Sequence, residues 1–281
     1  MQKYFAGQAI ALLTQHGKER VIKPVLDEAI ACSVRHVSGF DTDSLGTFTR
    51  DISRKGSQLE AARKKARMGM SLSGLPVGVA SEGSFGPDPF AGMFNWNVEM
   101  LVLIDDRSNL EIVGISQAAA QCGDLVTSDW SIAAEFAKGV GFPEHHLVVR
   151  PEGKSADNIF KGIQDWQSFE EIFGLAMQVS SSGKVFIESD LRAHANPTRM
   201  ENIRLAAIDL SNRVNSHCPE CGAPGFWPAQ AIKGLPCSAC GAPTHVPMGE
   251  LWKCVACSHQ QSKFKPANER ANPQHCDLCN P

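Results

Sequence analysis

Apolar residues follow two alternating patterns from the N-terminus to about residue 214. Short apolar runs predict buried strands, and apolar residues spaced three and four apart predict helices with one buried face. The alternation of the two kinds of segment predicts an α/β fold, with a mixed sheet flanked by helices. Strands are predicted at 8–14, 33–37, 76–81, 98–104, 110–115, 147–149 and 184–188, and helices at 18–31, 57–73, 128–140, 168–179 and from 197 onward.

The predicted helices carry start signals of their own. Ser57 followed by Glu60 predicts a capping box, in which each side chain satisfies a backbone N–H of the other residue. Ser168 and Glu171 repeat this spacing and predict a second capping box. Asn196 precedes a proline, which is typical of the first turn of a helix. We therefore expect three of the helices to begin at these positions.

The composition changes abruptly at Ser216. Helical spacing stops there, and Cys, Pro and Gly dominate the rest of the chain. Eight of the ten cysteines lie beyond this point, as four Cys-x-x-Cys pairs. We therefore predict two domains, a nucleotide-binding α/β domain over residues 1–214 and a small zinc-ribbon domain over residues 215–281.

The four cysteine pairs predict two structural zinc ions. Zinc prefers four soft ligands in a tetrahedron, and a two-residue gap lets one tight turn present two thiolates. A site with four cysteines is closed, so its role is structural. A short segment with little apolar content depends on such a metal for its folding. The expected zinc ligands are Cys218, Cys221, Cys237, Cys240, Cys254, Cys257, Cys276 and Cys279.

The four pairs can combine in two ways. Sequential ribbons join the first pair to the second and the third to the fourth, and they are favoured because each ribbon is then self-contained. The alternative is a cross-braced arrangement, which joins the first pair to the third. A structural or docking role is expected for the ribbons, with binding of nucleic acid or a protein partner as the alternative.

The net charge and the lengths of the apolar runs argue against a wholly basic nucleic-acid-binding protein and against a membrane-spanning protein. The formal net charge of -3 gives no global basic excess that would draw the whole chain onto nucleic acid. The apolar run at 9–13 is too short for a signal sequence, and no run approaches the ~20 residues of a membrane span. We expect a cytoplasmic protein without membrane contact, and a homo-oligomer is compatible with the sequence.

Two segments near the N-terminus carry residues suited to a phosphorylated ligand. Thr14, His16 and Lys18 stand between the first strand and the first helix. Ligands bind at the carboxyl ends of strands in open α/β sheets, and a helix N-terminus favours phosphate. Glu60 and Lys65 lie on the second predicted helix, where a helix cap and a solvated face are the alternative roles.

Two later segments add further candidates. Glu82 follows a predicted strand in a glycine-rich loop, a position typical of function. Asp190, Arg192, His194 and Arg199 surround the start of the last helix. Arginine side chains can bind phosphate with two hydrogen bonds. A surface ion-pair network is the alternative interpretation of this group.

In this order, the segments resemble the motifs of the inosine/xanthosine triphosphate pyrophosphatase superfamily. Thr-Gln-His-Gly-Lys at 14–18 is similar to its Thr-x-Asn-x-x-Lys turn, and Glu-Ala-Ala-Arg-Lys-Lys-Ala at 60–66 is similar to its Glu-Asn-Ala-x-x-Lys-Ala helix. Ala-Ser-Glu-Gly-Ser-Phe at 80–85 is similar to its acidic glycine-rich turn. Both asparagines of the motifs are replaced, and one acidic residue stands for the usual pair. With its cysteine-rich tail, the whole chain also resembles an uncharacterised bacterial family of unknown function.

The superfamily resemblance implies a hydrolase that releases pyrophosphate from a nucleoside triphosphate. Its catalytic carboxylates would be Glu60, Glu82 and Asp190. Mg²⁺ would be held by the first two, with Asp41 or Asp43 as further ligands. The alternatives are a non-catalytic nucleotide- or RNA-binding protein whose ribbons dock a partner, and a purely structural adaptor. The implied substrate-binding residues are Thr14, His16, Lys18, Lys65, Arg192, His194 and Arg199.

Overall fold

The structure is a computed structural model, and it describes residues 3–39, 57–153 and 158–281. Short 3₁₀ turns at Ala193–Ala195 and Pro273–His275 accompany the regular elements. The strands and helices follow in the order β1 (Ala9–Leu13), α1 (Glu19–Ile30), β2 (Ser33–Val37), α2 (Gln58–Ser73), β3 (Val77–Pro87), β4 (Asn95–Asp105), β5 (Leu110–Ala119), β6 (Asp124–Thr127), α3 (Trp130–Gly139), β7 (Leu147–Pro151), β8 (Phe160–Ile163), α4 (Trp166–Val179), β9 (Val185–Ser189), α5 (Pro197–Asn215), β10 (Trp227–Lys233), β11 (Pro247–Lys253) and β12 (Gln260–Phe264).

A five-stranded mixed sheet has the strand order β2-β1-β3-β4-β5. β1 pairs in parallel with β2 and β3, whereas β3, β4 and β5 run antiparallel to one another. Helices α1 and α5 cover one face of the sheet, and α2 covers the other. The predicted α/β class, with a mixed sheet flanked by helices, is therefore confirmed.

Two glycines let helices lie directly against this sheet. A Cβ atom on Gly78 would stand 2.7 Å from the carbonyl oxygen of Ala66 in α2. A Cβ atom on Gly114 would stand 2.4 Å from the backbone nitrogen of Leu210 in α5. A side chain at either position would push its helix away from the sheet, because close-packed interiors leave no room for it. These contacts hold the two helices that carry Lys65 and Arg199.

The strand β3 extends well beyond its parallel neighbour. β1 pairs with β3 at Ala11–Gly78 and Leu12–Val79 and ends one residue later. β3 continues to Pro87 and pairs with β4 along its full length. The carboxyl end of β1 therefore lies beside the middle of β3, at the kind of position where open α/β sheets bind ligands.

A second sheet is antiparallel and has the strand order β6-β9-β7-β8. It packs with α3 and α4 around an aromatic-rich core. The sequence does not predict β6 or β8, because each has four residues and no sustained apolar run. The predicted capping box of Ser168 and Glu171 was wrong. Asp165, one turn earlier, is the N-cap of α4 and accepts the Ser168 N–H at 2.8 Å.

The other two helix-start signals are confirmed. Ser57 and Glu60 form both bonds of a capping box at the start of α2. The Asn196 side chain caps α5 and accepts the N–H of Arg199 at 2.9 Å. None of the helices within the described ranges is long and apolar enough to cross a bilayer.

The cysteine-rich segment follows α5 and folds back against the C-terminal end of this helix. The backbone N–H of Gly225 donates to the carbonyl of Arg213 at 3.0 Å, and that of Phe226 donates to Ser216 at 3.0 Å. Beyond these bonds, β10, β11 and β12 form a three-stranded antiparallel sheet. Residues 216–281 are called the cysteine module below.

Candidate functional site

The eight cysteines of the cysteine module form two compact quartets. The first quartet combines the first and third Cys-x-x-Cys pairs, and the second combines the second and fourth pairs. Within each quartet, the four sulfur atoms all lie within 4.8 Å of one another. The members are Cys218, Cys221, Cys254 and Cys257 in the first quartet, and Cys237, Cys240, Cys276 and Cys279 in the second.

The preferred prediction of sequential ribbons was wrong, and the cross-braced alternative describes the chain. The reason lies in the sheet of the module. Trp227, at the start of β10, pairs with Lys253, at the end of β11. Cys254 directly follows Lys253, and Cys221 precedes Trp227 by six residues, so the antiparallel pairing brings the first and third cysteine pairs to the same end of the sheet.

The sulfur geometry fits tetrahedral zinc. Four sulfurs at about 2.3 Å from a central zinc ion stand about 3.8 Å apart. The sulfur–sulfur contacts that join the two pairs of each quartet measure 3.6 and 3.8 Å in the first and 3.6 and 3.9 Å in the second. The two quartets could therefore hold two zinc ions without rearrangement.

Matching turns present the first half of each quartet. The sequence Cys-x-x-Cys-Gly-Ala-Pro occurs at 218–224 and again at 237–243. Gly222 and Gly241 have φ values of 72° and 75°, in the left-handed region that glycine adopts without strain. Their N–H groups donate to the carbonyls of Cys218 and Cys237 at 2.9 and 3.0 Å. The repeat therefore builds the same two-thiol turn twice.

The thiols of one quartet differ in how readily they ionise. Backbone N–H groups of Cys240 and Ala239 lower the pKa of the Cys237 thiol to about 7. The neighbouring Cys240 thiol, together with burial, raises the pKa of the Cys279 thiol to about 12. Four thiolates so close together need a cation to offset their charge, and a bound metal ion deprotonates its cysteine ligands.

A second group of ionisable side chains lies where β1 ends beside β3. Its members are largely buried and come from five different elements or their ends. The other four charges all act on the pKa of the lysine at its centre, so the five groups share one electrostatic environment. We call this group the charged cluster, and its members are Lys18, Lys65, Glu82, Glu99 and Arg199.

Lys18 is buried, and within the described residues no carboxylate forms a hydrogen bond or an ion pair with it. Its Nζ donates to the carbonyl oxygen of Ser81 at 3.2 Å and to the hydroxyl of Ser81 at 3.4 Å. Ser81 supplies all of the hydrogen bonds that the described residues offer to this ammonium group. Burial and the positive charge of Arg199 lower the pKa of Lys18 to about 7, against the opposing effects of Glu99 and Glu82.

The other cations of the charged cluster are held by carboxylates. Lys65 and Glu82 form an ion pair, and Arg199 Nε donates to Glu99 Oε1 at 2.8 Å. A side chain on Gly83 would collide with the Glu99 carboxylate, so packing requires this glycine. Glu99 is not among the site residues predicted from the sequence. The available signal was a charged residue inside an apolar predicted strand, because a fully buried carboxylate needs a partner.

The segment between β9 and α5 places a further group beside the charged cluster. Asp190 is fully buried and accepts hydrogen bonds from Arg192 Nε at 2.9 Å and Nη2 at 2.5 Å. The His194 ring stacks on the His16 ring, with centroids 5.2 Å apart. Burial and the charge of Arg192 lower the pKa of His194, so this imidazole is neutral at pH 7.

Residues 65–281 match the model of a protein family described as Domain of unknown function (DUF6671). The chain belongs to this family. The match covers most of the charged cluster and both cysteine quartets, whereas β1 and Lys18 precede it. No curated protein and no solved structure matches the chain, so the resemblance to the pyrophosphatase superfamily gains no support.

Glu60 does not join the charged cluster of this DUF6671 chain. Its carboxylate is exposed and accepts the backbone N–H of Ser57 at 2.7 Å, and this bond is the main reason that its pKa is lowered. The residue therefore serves as a helix cap. Thr14 is buried beside the site, and its carbonyl oxygen lies 2.8 Å from His36 Nε2.

The expected Mg²⁺ site gains no support from the described part of the DUF6671 chain. Among the described residues, two groups of three or more His, Cys, Asp or Glu side chains lie close enough to share a metal ion, and these are the two cysteine quartets. Glu60, Glu82 and Asp190 do not form such a group. Asp41 and Asp43 lie outside the described residues.

Proposed function

We propose that this protein binds a phosphorylated ligand, of the nucleotide class, at the charged cluster. The observation that carries the proposal is Lys18, a buried ammonium group whose hydrogen-bond partner is a serine. Burying a cation without a counter-charge costs stability, and such a group gains most when an anion arrives. Two further cations, Lys65 and Arg199, act on the same site.

Phosphate fits this environment in both charge and geometry. Among the described residues, the charged cluster combines three basic side chains with two carboxylates. α1 begins at Glu19, so the positive end of its dipole lies next to Lys18. Arginine and lysine together offer several charge-assisted hydrogen bonds to phosphate oxygens. The nucleotide class rests on the motif resemblance at 14–18, 60–66 and 80–85.

The two carboxylates have a clear role in a binding site of this kind. Without ligand, Glu82 and Glu99 hold Lys65 and Arg199 in fixed positions and offset their charge. An incoming phosphate would compete for the same ammonium and guanidinium groups, which then need little rearrangement. Preorganised cations bind more tightly than mobile ones because less conformational entropy is lost.

Hydrolysis of the bound ligand is the second candidate function. It is favoured by the position of Glu82, a buried carboxylate that a phosphate would displace from Lys65. A nucleoside triphosphate brings its own Mg²⁺, which binds proteins through one or two carboxylates and keeps several waters. Glu82 would be available to the ion of such a complex. Binding without turnover is the simpler function, and it needs no metal ligand from the protein.

In this proposal the cysteine module binds two zinc ions and has a structural role. Two tryptophan rings of the module lie under cations of the chain itself. Lys263 Nζ lies 3.2 Å from the centre of the Trp252 ring, and the Arg213 guanidinium lies 5.3 Å from that of Trp227. These contacts favour internal packing over nucleic-acid stacking. Docking of a protein partner by the module is the alternative.

The binding proposal is tested by calorimetric titration of the zinc-loaded protein with pyrophosphate, triphosphate and ATP in Mg²⁺-free buffer. Lys65→Met is compared with Lys64→Met, which removes an exposed lysine of the same helix. Loss of one charge-assisted bond should weaken binding by roughly 10- to 100-fold in the first variant. Lys64→Met should bind like the wild type. Absence of binding to all three ligands, or equal losses in both variants, would overturn the proposal.

The hydrolysis candidate is tested by adding Mg²⁺ and a panel of canonical and deaminated nucleoside triphosphates. Turnover should fall strongly in Glu82→Gln, which keeps the shape of the side chain and removes its charge. Turnover that is equal in the wild type and in Glu82→Gln would exclude the proposed role of this carboxylate. Binding without turnover would leave the first proposal standing alone.

A further inference from the structure

A chain of buried hydrogen bonds runs from β5 to the charged cluster. Ser116 Oγ donates to Asn202 Oδ1 at 2.5 Å, and Asn202 Nδ2 donates to Asn97 Oδ1 at 2.7 Å. Asn97 Nδ2 then donates to Glu99 Oε1 at 3.0 Å. Glu99 Oε1 also accepts from Arg199 Nε. Between 0% and 4% of the surface of each of the last four residues is exposed.

The direction of each bond in this chain is fixed. Asn97 Nδ2 also donates to the backbone carbonyl of Ser84 at 3.2 Å, which can only accept. The amide oxygen of Asn97 must therefore face Asn202, and its NH₂ group must face Glu99. All donors point toward the carboxylate, so the chain of bonds holds Oε1 in one place.

We propose that Asn97 and Asn202 are positioning residues for the charged cluster, acting on Arg199 through Glu99; this inference rests on the proposed phosphate binding. The arginine itself is fixed on two sides. Nε donates to Glu99, and Nη1 donates to the backbone carbonyl of Leu191 at 2.5 Å. The guanidinium plane is therefore set by a side chain that Asn97 orients and by the loop that carries Asp190.

The residues around this chain of hydrogen bonds indicate that its role is more than stabilising the fold. The same face of the sheet is otherwise filled by apolar residues, among them Leu101 and Ile203. A buried polar network in such a place gives little net stability over apolar packing, although it fixes geometry. The second oxygen of Glu99, Oε2, is buried and has no hydrogen-bond partner within the described ranges. The carboxylate is thus held at one oxygen by the chain of bonds, on the side of Arg199.

The test converts Asn97 into an acid without changing its size. In Asn97→Asp, a carboxylate replaces the NH₂ donor that faces Glu99. Because the two negative charges repel each other, we expect the Glu99 carboxylate to move and Arg199 to move with it. We expect pyrophosphate affinity to fall at least about tenfold relative to the wild type at pH 7.5. Once protonated, the new carboxyl group can donate to Glu99 as the amide did. The ratio of the two affinities should therefore return toward one as the pH is lowered to 5.

Asn95→Asp is the matched control, because it makes the same chemical change two residues away on β4, where the side chain is exposed. This variant should bind like the wild type at both pH values, and the ratio of affinities cancels the protonation of the ligand. A ratio near one for Asn97→Asp at pH 7.5, or a loss that low pH does not relieve, would overturn the positioning role. Failure of the wild type to bind pyrophosphate at either pH would overturn the proposed function and this inference with it.

Ser116→Ala gives a second, milder measurement in case Asn97→Asp does not fold. It removes the hydroxyl at the far end of the chain of bonds and leaves the charged cluster itself intact. We expect a two- to threefold loss of pyrophosphate affinity, roughly that of one weakened neutral hydrogen bond. An affinity identical to that of the wild type would overturn the role of the chain as a positioning device.

Discussion

The cysteine module and the charged cluster both bring several ionisable side chains close together. They differ in which groups offset the resulting charge. In each quartet, four thiols lie within 4.8 Å of one another. In the charged cluster, three cations meet two carboxylates of the same chain. The quartets could therefore be completed by a metal ion, whereas the charged cluster offsets the charge of its cations with carboxylates of the described residues.

This difference leads to different expected responses when a counter-ion is removed. The module is small and has little apolar core, so a metal ion held by each quartet would supply much of its folding free energy. The charged cluster stands on a five-stranded sheet with helices on both faces, which folds by apolar burial. Loss of a metal should therefore unfold the module, whereas loss of an anion should leave the sheet intact.

The largest expected effect is the loss of both metal ions when one quartet is broken. Because the quartets are cross-braced, Cys221→Ser releases the end of the β10–β11 sheet and disturbs the path that leads to the second quartet. We expect elemental analysis to give two zinc ions per wild-type chain and close to none in the variant. Cys122→Ser, outside the module, is the control and should keep both ions. A variant that retains one tightly bound ion would show that the sites are independent.

The next effect concerns Lys18, the buried lysine of the charged cluster. The pKa of Lys18 in the folded protein, about 7, lies below its ordinary value of 10.5. Between these values the unfolded chain binds more protons, so stability rises with pH; below pH 7 the destabilisation is complete. Lys18→Met should therefore be more stable than the wild type at pH 6, by on the order of a few kcal/mol. The difference should shrink as the pH approaches 10.

Urea unfolding of the wild type and Lys18→Met at several pH values measures this difference. Lys64→Met serves as the control, since an exposed lysine should give a difference that does not change with pH. If the difference in the free energy of unfolding between the wild type and Lys18→Met is also independent of pH, burial does not destabilise the charged form of Lys18. The charged cluster would then resemble an ordinary surface ion-pair network.

A smaller effect tests how tightly the charged cluster is packed. In Gly83→Ala, the added methyl group meets the Glu99 carboxylate and lies 2.6 Å from Arg199 Nη2. We expect a loss of about 1–3 kcal/mol in the free energy of unfolding, the usual result of overpacking. Gly86→Ala lies on the same strand with nothing within 4 Å of the added atom, so its loss should be clearly smaller. Equal losses would place the Glu99–Arg199 pair elsewhere.

The smallest expected effect separates Glu60 from the site. Its carboxylate completes the capping box of α2, so Glu60→Ala should lower the melting temperature slightly. Pyrophosphate affinity should remain within a factor of about two, because no charge of the cluster is removed. A large loss of affinity would mean that Glu60 takes part in ligand binding and that the start of α2 moves when the ligand binds.

The two regions also differ in how much of each could be predicted from sequence. Cysteine ligands come in adjacent pairs, so spacing alone predicts two metal sites. Which pairs combine depends on the pairing of β10 with β11, and those strands have no clear apolar pattern. The charged cluster draws on positions 18, 65, 82, 99 and 199, which only the assembled sheet brings together. Glu99 was missed because its role depends on α5, a hundred residues later.

The central claim is that the buried Lys18 binds an anion. Its most direct test is the number of protons taken up when pyrophosphate binds. Calorimetric titration at pH 8 in buffers of different ionisation enthalpy gives this number for the wild type and for Lys18→Met. A bound anion raises the pKa of Lys18, so the wild type should take up more protons than the variant and bind more tightly. Equal proton uptake in the two proteins, or no binding by the wild type, would contradict the claim.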